Sequence, residues 1–377
     1  MPLHPSNPES RRRLLYGIAA SAVVILITLG VFASNGWFPR TDPFSGKRYG
    51  WFGQEIAKNA PSSWNPMAVP PPSSTPQLSK EYVYAGSRLL AVEDKNATAA
   101  PPADLAIWRP SSGIWYVYNP ATGSSWATQA WGEPGDVPVP GDYDGDGTTD
   151  YSVWRPSNFT WYVIHSSTGL FYTYQFGGSG DLMAAADYDG DGKTDEAVFR
   201  PTNGTWYIHA STAGYYTDNS QSTAGDIPAP ADYDGDGRAD LGVFRPSDRT
   251  FRVKHSADGS TATIQPNFNP SGATWATVSS DYDGDGRADH AVYDSAHGKW
   301  YIRSSISGTY PATPISWGQS GDIPVPNDYD GDARCDYSIW RPSTGTWYIV
   351  QSASNYSQRT VTWGQSGDIP VPAFFRR

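Results

Sequence analysis

The sequence predicts an all-β protein, a β-propeller of six four-stranded blades with a seventh left open, preceded by one N-terminal transmembrane or signal helix. Three observations carry this. An Asp-Tyr-Asp-Gly-Asp-x-x-x-Asp loop begins at Asp142, Asp187, Asp232, Asp281 and Asp328, at steps of 45, 45, 49 and 47 residues, the period of a propeller blade. Aromatic residues reach 14%, with 38 Gly and 32 Pro, a composition of short strands and many turns. After residue 60 no sustained helical periodicity appears.

Taken in chain order, residues 1–13 read as a cytoplasmic segment that ends in Arg11, Arg12 and Arg13. Residues 14–33 are an uncharged stretch of 20, long enough to span a bilayer core. The arginines should stay on the cytoplasmic side. A single-pass anchor is the favoured reading, because the stretch is long for a signal peptide. A cleaved signal is the alternative, supported by small Ala33 with Val31 two residues before it. Both readings place the rest of the chain outside the cytoplasm, either membrane-anchored or secreted. Residues 34–80 are a juxtamembrane segment and linker. No fold is assigned to 34–58, and 61–76 are Pro/Ser-rich, a stiff spacer without core-forming side chains. The propeller occupies 81–377.

Each repeat continues from its acidic loop through an apolar segment into an aromatic-Arg-Pro motif: Trp154-Arg155-Pro156, Phe199-Arg200-Pro201, Phe244-Arg245-Pro246 and Trp340-Arg341-Pro342. The fourth loop leads instead to Tyr293-Asp294-Ser295. A second aromatic follows (Trp161, Trp206, Phe251, Trp300, Trp347), then Trp-Gly or Phe-Gly in several copies, then Gly-Asp-x-Pro-x-Pro into the next loop. A further copy stands first without its loop. Trp108-Arg109-Pro110 and Trp115 match, and Asp104 stands where the last loop aspartate belongs, so this blade is expected to lack a metal. Gly367 to Pro372 opens one more copy, and its strand is expected to complete the first blade and close the ring without a free edge. Glu81 to Asp94 holds strand-like residues that leave a seventh blade open.

The loop has the chemistry of a calcium site. In the copy at Asp187, alternating Asp187, Asp189 and Asp191 place three carboxylates about one point, Gly192 allows the sharp turn, Lys193 offers its carbonyl and Asp195 closes the shell. Hard oxygen donors suit Ca²⁺, and the absence of Cys and His from this shell disfavours zinc and copper. An EF-hand needs Glu at position twelve; here that position is Val153, Val198, Val243, Val292 or Ile339.

The loops resemble those of the FG-GAP and VCBS repeat family, as in integrin α-chain propellers, over residues 95–372. The resemblance implies about five structural Ca²⁺ ions. It carries the ligand pattern to Asp142, Asp144, Asp146, Thr148 (carbonyl) and Asp150, and to Asp187, Asp189, Asp191, Lys193 and Asp195. The remaining sets are Asp232, Asp234, Asp236, Arg238 and Asp240; Asp281, Asp283, Asp285, Arg287 and Asp289; and Asp328, Asp330, Asp332, Arg334 and Asp336. Ala333 departs from the pattern at position six, where an alanine at positive φ costs about 1 kcal/mol and predicts a weaker site. Residues 81–94 are also similar to fragments of bacterial Rhs/YD-repeat proteins, and the expected source is bacterial.

Net charge is −11, which excludes a phosphate-binding face and hence nucleic acid. Five divalent cations would offset ten of those eleven charges. Cys335 is the single cysteine, so no intrachain disulfide forms. His165 and His255 share one repeat position, which Gln351 holds in the last copy, and read as architecture. The repeated Trp and Arg-Pro positions read as blade-to-blade packing. No Ser/His/Asp set, phosphate loop or unique acid pair is present, so no catalytic residue is assigned. The functional expectation is a cell-surface binding or adhesion module for protein or glycan. A propeller-scaffolded polysaccharide lyase or hydrolase, with Asp294, His290 and His297 as its asymmetric features, is one alternative. An envelope scaffold is another.

Overall fold

In the computed structural model, the described residues are 102–375, apart from 120, 121, 266, 267, 269, 312, 354 and 355, together with the backbone of five short strands nearer the N-terminus. The expected transmembrane or signal segment 14–33 and the spacer 61–76 lie outside the described residues. Within Met1–Ser74, a compact unit of its own, Arg40–Thr41, Arg48–Tyr49 and Glu55–Ile56 form a three-stranded antiparallel sheet. This adds structure to a stretch that the sequence left without a fold.

In the second unit, Thr75–Arg377, Glu81–Ala85 pairs with Arg88–Glu93 as a separate two-stranded sheet. That hairpin belongs to no blade, so the described residues make six blades, not seven.

Each blade is one antiparallel four-stranded sheet, and blade two shows the pattern. Its inner strand Val137–Pro138 pairs with Tyr151–Arg155, which pairs with Thr160–Ile164, which pairs with Phe171–Gln175. The inner strand is two residues long because proline cannot donate to a ladder and limits it. Burial falls outward. Ser152, Val153 and Trp154 are all buried, Thr160–Ile164 buries alternate residues, and the outer strand alternates exposed with half-buried ones. This is the period of two expected of strands with unequal faces.

The cores lie between blades. Val139, Trp154, Trp161 and Val163 of blade two pack with Met183, Ala185 and Val198 of blade three. Two indoles of one blade share an acceptor in the loop that leaves its outer strand. Trp108 and Trp115 Nε1 donate to Trp131 O, and Trp340 and Trp347 to Trp363 O. Trp131 Nε1 then donates to Tyr162 O of the next blade, and Trp317 Nε1 to Tyr348 O. Blade-to-blade linkage thus falls to these Trp-Gly indoles.

The ring closes as the repeat implied. Ile369–Pro370 pairs with Ala106–Arg109 to supply the inner strand of blade one. The bridge between Asp104 and Ala373 matches that between Asp150 and Gly141. Phe374 and Phe375 therefore hold the places taken elsewhere by the first Asp and Tyr of an acidic loop. In blade one an apolar ring thus stands at position one, where the other blades carry an aspartate.

Candidate metal centres

The five acidic loops stand on one face of the ring, between the first two strands of blades two to six. In each, the position-one carboxylate turns back on its own loop. Asp142 Oδ1 accepts Gly145 N–H at 2.6 Å and Oδ2 accepts Gly147 N–H at 2.7 Å. Asp187, Asp232, Asp281 and Asp328 repeat this. The position-nine carboxylates are buried. Asp150 Oδ2 accepts Tyr143 N–H and Oδ1 accepts Ser166 N–H. The tyrosine at position two is a strut, with its hydroxyl donating to a carbonyl four residues upstream, Tyr143 to Val139 at 2.8 Å.

These turns draw carboxylate oxygens together. Oxygens of Asp142, Asp144 and Asp146 lie within 4.8 Å of one another, as do those of Asp187, Asp189 and Asp195, of Asp232, Asp234 and Asp236, and of Asp281, Asp283 and Asp285. Burial pushes the pKa of Asp150, Asp232 and Asp289 up to about 7, and that of Asp195 and Asp336 to about 8. The N–H donors to each oppose that rise, and neighbouring loop aspartates add to it. Buried carboxylates crowded in this way suit a hard divalent cation, so the residues fit the expected Ca²⁺. In the loop of blade six, Asp328 keeps its turn, Asp330 accepts Ala353 N–H, and Asp336 accepts Tyr329 and Ser352 N–H. Ala333 has φ +64, against +81 to +89 for the glycines at positions four and six of the other loops.

Position seven has two roles. The N–H of Thr148, Lys193, Arg238, Arg287 and Arg334 donates to the position-five carboxylate. The side chain crosses to the preceding loop: a carbon built on Gly145, Gly190, Gly235 or Gly284 would meet Lys193, Arg238, Arg287 or Arg334 at 2.8–3.2 Å. Position four must therefore be glycine for space as well as for φ.

A second belt joins the loops. Thr194 N–H donates to Asp142 O, Ala239 to Asp187, Ala288 to Asp232 and Cys335 to Asp281. Ala103 N–H donates to Asp328 O and Thr149 N–H to Phe374 O, which closes the belt through all six blades. Cys335 is buried in this belt, at a place held elsewhere by Ala or Thr. The sequence reading missed a further partner, the serine 24 residues after each first aspartate: Ser166, Ser211, Ser256, Ser305 and Ser352. Each donates its N–H to the position-nine carboxylate. Its recurrence at one spacing was the signal.

On the opposite face, each aromatic-Arg-Pro arginine folds back within its own blade. Arg155 Nε lies 2.8 Å from Asp136 Oδ1 and Nη2 2.9 Å from Oδ2. Arg200–Asp181, Arg245–Asp226, Arg341–Asp322 and Arg109–Asp368 are alike. Four of these guanidinium groups lie over a tyrosine ring at 4.3–4.6 Å. The arginine is thus an intrablade latch, a correction to the blade-to-blade role expected of it.

Blade five lacks the latch. Asp294 holds the arginine position and Trp275 the aspartate position. Asp294 is fully buried and accepts the Thr274 and Ala296 N–H groups, and its Oδ2 lies 2.5 Å from His297 Nδ1. His290 is not part of this pair. It stacks on Tyr233 at 4.5 Å, neither ring nitrogen has a hydrogen bond, and burial lowers its pKa to about 3. It is a neutral aromatic filler. His255 bonds Asp240 at 3.1 Å and lies with Asp234 and Asp240 within 4.8 Å, so in blade four an imidazole does reach the loop carboxylates, against the expectation of a shell without His. His165 packs against Tyr172.

Residues 142–198, which run from the first acidic loop into blade three, match the FG-GAP-like repeat. No curated protein matches the chain. Among solved structures, TolB from Acinetobacter baumannii is 13% identical over 74% of this chain and 67% of its own, with a TM-score of 0.45. Virginiamycin B lyase from Staphylococcus aureus is 9% identical over 73% of this chain and 89% of its own, at 0.46. AztD from Citrobacter koseri is 9% identical over 72% of this chain and 98% of its own, at 0.36. At these scores none of the three says anything about activity.

Proposed function

We propose that this FG-GAP-like propeller is a calcium-clamped binding module held outside the cytoplasm, engaging a protein or glycan at the cell surface. The carrying observation is the belt. Every acidic loop is hydrogen-bonded to the preceding blade, so a cation in the loop stiffens the blade-to-blade contact as well as its own turn. Metal here is structural, because the loops repeat by the symmetry of the ring and a catalytic set would break it. The segment 14–33 behind three arginines supports export, with the chain after it anchored to the membrane or released.

The reading is tested by stripping the protein of metal and following thermal unfolding with and without added calcium. Because the cation binds the native loops, the midpoint should rise by several degrees or more as calcium passes its Kd. Titration calorimetry should count about five equivalents. A midpoint indifferent to calcium would sink the proposal.

A further inference from the structure

The large apolar side chains exposed on the described residues are unevenly placed. Leu170 (70%), Phe171 (66%), Tyr215 (60%) and Tyr216 (36%) lie on the outer edges of blades two and three, Trp126 lies on the outer strand of blade one, and Ile306 and Tyr356 stand singly on blades five and six. Phe171 and Tyr215 hold the same repeat position, opposite Ile164 and His209 of the neighbouring strands. Blade four has Thr261 there and blade six Gln358, so at this position the exposed aromatic recurs in two adjacent blades.

Phe171 and Tyr215 each meet a second ring from the preceding blade. Phe171 lies 5.6 Å from Trp131, and Tyr215 lies 6.0 Å from Phe176. Between blades one and two the pair opens into a groove of about 420 Å³, walled by Trp131, Phe171 and Tyr162 with Arg155 and Glu133 at one end. The Glu133 side chain is 67% exposed and its Oε2 sits 3.2 Å from Arg155 Nη1. Trp131 is fixed by its bond to Tyr162 O, so its face is held ready rather than free to collapse.

Clustered exposed rings mark a binding surface, and the chemistry narrows the occupant. Along the outer strand of blade two, Phe171 alternates with exposed Thr173 and Gln175, so no continuous apolar stripe exists for an amphipathic helix. Arg155 is already paired with Asp136 and Glu133, so the groove offers no net positive charge to nucleic acid or an acidic polymer. A pyranose ring presents a flat C–H face for the aromatics and hydroxyl edges for Glu133 and Arg155. We propose that the blade one–two groove, with the Phe176/Tyr215 ring pair at blades two–three, binds a neutral polysaccharide, its sugar rings stacking at Trp131/Phe171 and Phe176/Tyr215. This rests on the binding-module reading and names its ligand.

The test uses the full-length, calcium-loaded protein in detergent, titrated calorimetrically with cellohexaose, xylohexaose, mannohexaose and chitohexaose, and with hexagalacturonate as the acidic comparison. At least one neutral hexasaccharide should bind. Phe171→Ala should weaken it at least tenfold and Phe171→Ala/Tyr215→Ala about a hundredfold. Ile306→Ala, exposed on blade five, should leave Kd unchanged. All three side chains are exposed, so every variant should keep its calcium-dependent midpoint. The inference is overturned if no neutral sugar binds, if the double variant binds as wild type does, or if hexagalacturonate is preferred. A wild-type dimer that becomes monomeric in the double variant would reassign these rings to self-association and overturn it too. An intact calcium response without sugar binding removes this inference alone, whereas a lost calcium response strikes the module reading itself.

Discussion

At the scale of single residues, the acidic loops are a balance between burial and turn geometry. Asp195 and Asp336 are wholly buried, and burial holds their pKa near 8, far above that of an ordinary aspartate. Asp150, Asp232 and Asp289 stand near 7. The sign of the linkage follows. With the folded pKa raised, the metal-free native state keeps protons that the unfolded chain has released above about pH 4. Its stability is greatest below that pH and is lost as pH rises through 7 to 8. Calcium binds the ionised carboxylates and competes with those protons. The gap in thermal midpoint between calcium-loaded and calcium-stripped protein should therefore widen from pH 5 to pH 8.5. A gap that is constant, or narrows with pH, would show that these carboxylates are not the ones the cation needs. Ala333 belongs to the same scale. Its positive φ was legible from its place in the repeat, because a fixed loop leaves position six no other conformation.

At the scale of elements, what was legible and what was not divide by distance along the chain. The loops, the second aromatic and the closing strand all announce themselves by period. The latch did not, although both halves were in view as Gly-Asp-x-Pro and aromatic-Arg-Pro. Asp181 and Arg200 are 19 residues apart, as are the pairs of blades two, four and six. They meet only because the inner strand folds back on its neighbour across the acidic loop. The paired loss in blade five, Asp294 for arginine and Trp275 for aspartate, is the trace that would have disclosed it. The latch should be worth measuring. Arg200 sits over Tyr207 at 4.4 Å, and Asp181 has no exposed side-chain surface. Arg200→Ala strands a buried carboxylate and should cost about 3 kcal/mol in chemical denaturation. Adding Asp181→Asn should return part of that loss, since the charge no longer needs a partner. If the double variant is as unstable as the two single losses summed, the residues are not coupled and the latch is not one interaction.

At the scale of the whole molecule, the ring is held at one seam by non-local contacts alone. Elsewhere a blade is continuous in sequence. Blade one is assembled from Ile369–Pro370 and the strands from Ala106 on, and Arg109 and its partner Asp368 are 259 positions apart. Val371, Ala373 and Phe375 complete the core around Trp108 and Trp115, and Phe374 O accepts Thr149 N–H from blade two. Removing residues 368–377 therefore takes an inner strand, a latch and a link of the loop belt together, while leaving the chemistry of blades two to six untouched. The open ring would expose the edge strand Ala106–Arg109, an invitation to pair with another chain. The truncated protein should unfold at a much lower temperature. In native buffer its tryptophan emission should shift to the red as Trp108 and Trp115 meet water, and it should aggregate with rising concentration. Calcium should recover little of the loss, because the metal loops strengthen each blade-to-blade contact and cannot replace a missing strand. Unchanged emission and midpoint would mean that blades two to six hold the fold alone and that the seam is incidental to its stability.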